Sequence, residues 1–459
     1  MNPPDRQPWY AGITRYQWLV LVIASLGWIF DVFEGQIFTA SMKEVMQSLA
    51  PPGATDSDRG FYTKITFAAF LIGGAVGGVL FGIISDRVGR TRAMVYTIVL
   101  YSAFTCISAF AQNWWHMAIT RFFVALGTGG EWAVASAFVA EVFPKRARAW
   151  SLSIFHGSSV LGGFLASAVG AFIVGNPTLH SQENPSLAWR IGFLVGVVPS
   201  LLIIWIRLGL RDPEPAPVKA DQPPPGRLSE LLGAPWLFRT VLGTSLASVG
   251  LATFWGVHIY GKDLLAGAAE RRLLADAAPS AGSSPLEWAE QRKKLLEPYR
   301  TDIKHAEMLG MVLVGLGGGV GLVSFGPICE RLGRRGAFLL YHVGGLASAL
   351  FMFRWLGNAD ERTVMALLPV FGCLTLGMHA GYAVYFPELF PGRLRGTGAG
   401  FCFNVGRVVA ALVMAGCGLV ESAWKLDLPT IVSAVSLLYL VGMALLIIAP
   451  ETKGQELPA

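Results

Sequence analysis

The sequence predicts an all-α membrane protein of about twelve transmembrane helices, arranged as two six-helix halves. Three observations predict it. Of 459 residues, 14% are charged and 53% hydrophobic, against about 25% charged in a soluble protein. Apolar runs of about 20 residues, the length that crosses a bilayer, recur from near Tyr16 to near Pro450. Two polar loop motifs each occur twice, in the same order and at nearly the same offset.

Hydropathy places the spans at 16–38, 63–83, 93–112, 117–140, 150–174, 189–210, 237–260, 306–328, 337–355, 364–386, 398–420 and 429–449. The first run has no cleavage-site pattern before it, so it reads as a retained span. Short loops at 84–92, 141–149, 329–336 and 387–397 hold most of the loop arginines and lysines, and those on the other side hold few. The positive-inside rule then puts both termini in the cytoplasm. The net charge of +6 orients the chain in a bilayer and does not suggest a nucleic-acid partner. Asn176 and Asn184 have the N-x-S/T pattern but with Pro between, which blocks glycosylation and favours a bacterial inner membrane. Five cysteines lie in or beside apolar runs without metal-ligand spacing, so they read as small buried hydrophobes.

"GIISDRVGRTR" at 82–92 returns as "GPICERLGRRG" at 326–336, and "AEVFPKRAR" at 140–148 returns as "PELFPGRLR" at 387–395. The offset is 244 residues from Asp86 to Glu330 and 247 from Glu141 to Glu388. This predicts an N-terminal bundle at 1–210, a cytoplasmic linker at 211–236 and a C-terminal bundle at 237–459. Parallel halves of this kind hold a substrate site between them. A charged insert at 261–305 interrupts the second half. Ser284 to Glu287 reads as the capping box of a surface helix, and the segment reads as a solvated cap.

These motifs resemble the major facilitator superfamily over almost the whole chain. Gly82, Asp86, Arg87, Gly89 and Arg90 fit its loop motif, as do Gly326, Glu330, Arg331, Gly333 and Arg334. "PETKGQEL" at 450–457 looks like the tail of sugar and organic-ion porters. "RFFVALGTGGEW" at 121–132 is similar to a signature of metabolite–proton and sialate or carboxylate–proton symporters, with Ala125 where Gly is usual. "DVFE" at 31–34 resembles a motif of aromatic-acid–proton symporters, with Val and Glu substituted for Gly and Asp. The resemblance implies alternating access, with the first and fourth helices lining a central cavity. It also implies that Arg407 occupies the eleventh-helix place where organic-anion porters carry Arg.

The buried charges are the candidates for function, because a charge facing lipid costs several kcal/mol. Asp31 lies 13 residues past Trp18, roughly 20 Å along a helix, in the outer half of the membrane. Glu34 is one turn further out, nearer the headgroups. Asp31 reads as the main proton carrier or as half of a structural ion pair. Glu34 reads as its partner, and Glu131 as a second buried acid. Arg121 lies at matching depth, where it can meet Asp31 and a substrate anion. His379 is a candidate ligand or a satisfied core residue. Arg407, 12 residues past Arg395, sits near midplane with Asn404 one turn earlier. Its planar fork suits a carboxylate; the alternative is a pair with Glu131. Asp86, Arg87, Gly89, Arg90, Glu141, Arg146, Glu330, Arg331, Gly333, Arg334, Glu388 and Arg393 read as a cytoplasmic gate of ion pairs that open and reform.

No phosphate-binding loop, metal cluster or nucleophile triad appears in the sequence, so neither ATP drive nor a membrane enzyme is expected, and no cofactor beyond a proton gradient. The reading is a monomeric, multi-pass inner-membrane symporter of protons and a small organic anion. A neutral-solute porter, such as one for sugars, is the alternative. A non-transporting sensor on the same fold is the third.

Overall fold

The computed structural model describes residues 8–174, 179, 186–196, 205–206, 209–212, 223–275, 285–356, 359–424 and 426–458. Among them there is no strand. The N-terminal helices are α1 (Arg15–Leu49), α2 (Asp56–Val88), α3 (Arg90–Ser108), α4 (Trp114–Val142), α5 (Lys145–Gly157), α6 (Ser159–Val169) and α7 (Leu187–Leu194). A four-residue helix, α8 (Leu228–Leu231), lies in the linker. The C-terminal helices are α9 (Leu237–Gly256), α10 (Gly261–Leu273), α11 (Pro285–Leu296), α12 (Arg300–Leu350), α13 (Glu361–Leu376), α14 (Met378–Leu389), α15 (Arg395–Trp424), α16 (Leu428–Ser436) and α17 (Leu438–Ile448).

Nine stretches of helix among the described residues are long and apolar enough to cross a membrane. One, His305–Trp355, covers two of the expected spans. It bends at Gly333, whose φ of 82° only glycine adopts without strain. Gly89 holds the matching place between α2 and α3 with φ 99°. The expected span at 93–112 is α3, which is not among the nine. Residues 197–204 and 207–208 of the expected sixth span, 189–210, lie outside the described residues, as does Ser284 of the expected capping box. Apolar side chains such as Ile72, Phe172, Leu412 and Ile447 stand exposed on the outside, as the lipid solvent requires.

Local sequence explains the helix starts. Thr14 caps α1 by accepting the Gln17 amide at 3.2 Å, while Gln17 Oε1 accepts the Thr14 amide at 2.9 Å. Thr55 and Asp58 repeat this box at α2. α1 outruns its apolar run, because Val45, Met46 and Leu49 pack with Trp189 and Phe193 in a second core.

The two groups of helices meet along a seam, where α2 packs on α15 and α5 on α12. The seam is backbone against backbone in places. A Cβ on Gly400 would stand 2.2 Å from the Gly78 carbonyl, and one on Gly82 would stand 2.5 Å from the Gly396 carbonyl.

The insert is partly packed rather than fully solvated. α10 buries Leu265, Ala268 and Ala269, and Lys262 pairs with Glu307 at 2.5 Å.

Candidate functional site: charges in and beside the seam

Arg407 extends from α15 against α2, its Nη1 2.6 Å from where a Cβ on Gly74 would stand. Its guanidinium lies 5.5 Å from the Phe403 ring centre. Among the described residues no carboxylate comes within 4 Å of it, and Glu131 is not its partner. Phe403 in turn stacks on Trp132 of α4 at 4.1 Å across the seam. Trp132 Nε1 donates to His156 Nδ1 at 3.1 Å, and Trp28 Nε1 donates to the His156 carbonyl at 3.3 Å. The sequence reading missed this Trp28–Trp132–His156 group. Its signal was a histidine and two indoles, each needing a polar partner, inside apolar helices.

Asn404 is fully buried, donates to the Gly400 carbonyl at 2.9 Å and presses on Gly78. It wedges the seam in this conformation rather than facing open space. His379 donates from Nε2 to the Gly250 carbonyl at 3.1 Å, between Phe254 and Tyr382. This is the satisfied core arrangement rather than a free ligand.

The three acids lie inside the N-terminal helices. Asp31 is 3% exposed, and neither carboxylate oxygen has a hydrogen-bond partner among the described residues. Glu131 accepts from the Thr97 hydroxyl, and its other oxygen faces Gly27 of α1. The structure corrects two expectations. Glu34 is 0% exposed rather than near the headgroups, because α1 runs on to Leu49 and Asp31 therefore falls near its middle. Arg121 does not pair with Asp31. Its Nη1 donates to the Glu34 backbone carbonyl at 3.2 Å and its Nη2 to Ser108 at 2.9 Å, with the Phe193 ring 4.7 Å away.

The loop motifs form two clusters. Arg90 bonds Asp86 at 2.5 Å and Glu141 at 2.7 Å. From there the cluster crosses the seam. Asp86 accepts the Gly396 amide at 2.9 Å and the Thr397 amide at 2.8 Å, and Arg395 bonds Glu141 at 2.7 Å. In the second cluster Arg334 bonds Glu330 at 3.0 Å and Glu388 at 2.7 Å. That cluster turns to its own C-terminal tail, where Glu451 accepts the Arg334 and Arg335 amides and Thr452 donates to Glu388. So Glu330 does not reach across the seam. Arg87 and Arg331 are exposed. Arg87 reaches the linker at the Pro225 carbonyl, and Arg331 lends its carbonyl to Lys453. Arg146 is exposed beside Gly12. The buried arginine of its loop is Arg148, which donates to the Ala140 carbonyl at 3.0 Å. Arg395 repeats that bond to the Pro387 carbonyl at 3.1 Å. The repeated "FP-x-R-x-R" held the signal, since its second arginine is the buried one both times. Arg393 instead forks onto Glu230 of α8.

A helical membrane protein with a half-buried cation and aromatic rings in a seam, and ion pairs that lock one end of it, is a solute transporter in class. Residues 18–414 match the Major Facilitator Superfamily, and the chain belongs to that family. It is 27% identical to a putative metabolite transport protein of Haemophilus influenzae, over 97% of this chain and 99% of that one. It is 26% identical to a probable 4-methylmuconolactone transporter of Cupriavidus pinatubonensis, over 97% and 93%. It is equally 26% identical to a niacin transporter of Acinetobacter baylyi, over 97% and 96%. Its fold matches the proton:xylose symporter XylE with TM-score 0.73 at 16% identity, over 96% of this chain and 98% of that one. The chain is a multi-pass integral membrane transporter, as these relatives are.

Proposed function

We propose that the chain is a proton-coupled symporter of a small organic anion, a carboxylate, working by alternating access. In this reading twelve helices form two six-helix halves, 1–210 and 237–459, joined by a cytoplasmic linker at 211–236. Both termini lie in the cytoplasm, and the chain works as a monomer in the inner membrane. The observation that carries the reading is Arg407, a cation at the seam with no carboxylate within 4 Å among the described residues. A charge at that depth is costly unless paired, and a substrate carboxylate supplies the missing partner bidentately. Phe403 and Trp132 present ring faces beside it, which suits a planar or apolar acid. Niacin and 4-methylmuconolactone, named for two of the relatives, both carry a carboxyl group.

The proton belongs to the acid group. Burying a bare carboxylate costs several kcal/mol, so the outward-facing state closes readily once Asp31 is protonated. Glu34 and Glu131 share the charge of that region, and Arg121 stands beside Glu34 as a fixed countercharge. Asp86, Arg90, Glu141 and Arg395 hold the cytoplasmic end shut until the loaded state forms.

The test is a thermal-shift and binding screen of purified protein with niacin, cis,cis-muconate, xylose and choline. A carboxylate is expected to stabilise the protein. Arg407→Ala should weaken that binding about 10- to 100-fold, from the loss of a charge-assisted bond worth about 1.5–3 kcal/mol. Arg407→Lys should restore only part of it, since ammonium lacks the fork. Stabilisation by xylose alone, unchanged in Arg407→Ala, overturns the anion reading in favour of a neutral solute.

A further inference from the structure

α3 carries a row of hydroxyls on one buried face. Thr97, Tyr101, Thr105 and Ser108 recur at spacings of four, four and three, which puts them on one face of the helix. All four are 0% exposed. The stripe meets the charged groups in order. Thr97 bonds Glu131. Thr105 and the Glu34 carboxylate border the same residue, Gly196, and Thr105 accepts from Arg121 Nη2 at 3.5 Å. Ser108 accepts from Arg121 at 2.9 Å. Tyr101 sits between these two stations. Among the described residues its hydroxyl has no hydrogen-bond partner, nor have the oxygens of Asp31 or Oε1 of Glu131. Asp31 lies on α1 one turn from Gly27, which faces Glu131 Oε1, and one turn from Glu34 on its other side.

An unpartnered buried hydroxyl costs about 1–3 kcal/mol. A phenylalanine would fill the same space without that cost, so packing alone does not account for tyrosine here. We propose that the Tyr101 hydroxyl relays protons among Asp31, Glu34 and Glu131, so that the hydroxyl face of α3 is one wall of the proton route. The proposal rests on the proton-coupled reading above. In each transfer a carboxylic acid gives its proton to the phenol oxygen as the phenol O–H gives its own to a second carboxylate. One O–H bond breaks and one forms at the phenol, which is neutral before and after. The net change is one proton moved between two carboxyl groups. Arg121 stays charged and takes no proton.

The test compares wild type, Tyr101→Phe and Tyr101→His in proteoliposomes, with niacin and cis,cis-muconate as probes. Two rates are read: uptake driven by an inside-alkaline pH gradient, and exchange with no gradient. Phe should fold with no loss of thermal stability, since the lost hydroxyl has no partner. It should lower gradient-driven uptake at least tenfold and leave exchange within twofold. His, which can hold and pass a proton, should recover part of the driven rate. Driven uptake at the wild-type rate in Tyr101→Phe overturns the relay. So does a parallel fall in both rates, which marks a structural role. If the gradient does not drive the wild-type protein, the symport reading falls and the relay falls with it.

Discussion

The carboxylate of Asp86, at the end of α2, sits on the first turn of α15, where it accepts the Thr397 amide at 2.8 Å and the Gly396 amide at 2.9 Å. An anion at a helix N-terminus is favoured by the free amides and the helix dipole. Here that local preference joins parts of the chain about 310 residues apart. Glu330, its repeat counterpart, bonds only within the C-terminal helices among the described residues and is 28% exposed at the side chain.

Asp86→Asn should therefore loosen the seam far more than Glu330→Gln. One 1.4 kcal/mol loss is a tenfold change in an equilibrium, so cytoplasmic accessibility should rise about tenfold for Asp86→Asn. For Glu330→Gln it should rise less than about twofold, because its pair with Arg334 does not cross the seam. The probe is a cysteine at Ala133, which faces Gly400 across the seam, in a chain whose five native cysteines are replaced. Equal labelling rates in the two variants would remove the distinction.

Asp31→Asn keeps the shape of a side chain whose oxygens have no partner. It should abolish uptake against a gradient and retain exchange. Glu34→Gln should be milder, because Arg121 holds the Glu34 backbone carbonyl rather than its carboxylate. Reconstituted uptake under an inside-alkaline gradient decides this. If Asp31→Asn still concentrates solute, the proton rides on another group, with Glu131 next.

Replacing residues 274–298 with a short Gly/Ser linker should leave thermal stability and binding intact. The ion pair between Arg292 of α11 and Glu270 is partly exposed and worth about 0–1 kcal/mol. Starting the replacement at 268 should lower the melting temperature by a few degrees, because it removes the buried Ala268 and Ala269. Equal stability of the two deletions would show that α10 contributes nothing by packing.

The linker should undock in acid. The Arg393 guanidinium beside Glu230 holds that carboxyl below the usual glutamate range. A depressed value means the contribution is complete above the ordinary value, about 4.3, and is lost as pH falls through the lowered one. A spin label at Ser229→Cys, an exposed site, should keep the same mobility between about pH 5 and about pH 8 and gain mobility in stronger acid. Glu230→Gln should be mobile throughout. A label as immobile in Glu230→Gln at neutral pH as in wild type would rule out this pair as the anchor.

What the sequence made legible was local. The doubled loop motifs told where the ion pairs form, since each motif carries both partners or most of them. Asp31, Glu34, Glu131 and Arg407 were legible because a charge inside an apolar run needs a reason. Partners across helices were not. Arg121 was matched to Asp31 by depth and by the expectation that the first and fourth helices line one cavity, with depth counted from Trp18 on an α1 taken to end at 38. Packing of Val45, Met46 and Leu49 extends that helix to Leu49, which no hydropathy window reports. Asn404 was read as lining the site because it shares a face with Arg407. The missing term was Gly78, whose lack of a side chain lets α2 close on it. His379 fell to the Gly250 carbonyl in the same way, by a neighbour distant in sequence.

Where Gly78 meets Gly400 and Gly82 meets Gly396, two main chains touch with no side chain between them. At those two contacts the helices can part without a rotamer having to withdraw, whereas Asn404 and Arg407 of α15 lie against Gly78 and Gly74 of α2 and must slide past them. In the proposed cycle the polar fasteners at the rim, Asp86, Arg90, Glu141 and Arg395, then add the largest share of the barrier to parting. Opening speed becomes chiefly a property of those four side chains. The apolar interior of either helix group can drift in sequence, changing how firmly each group holds itself together, while the tempo of the cycle stays where those four set it.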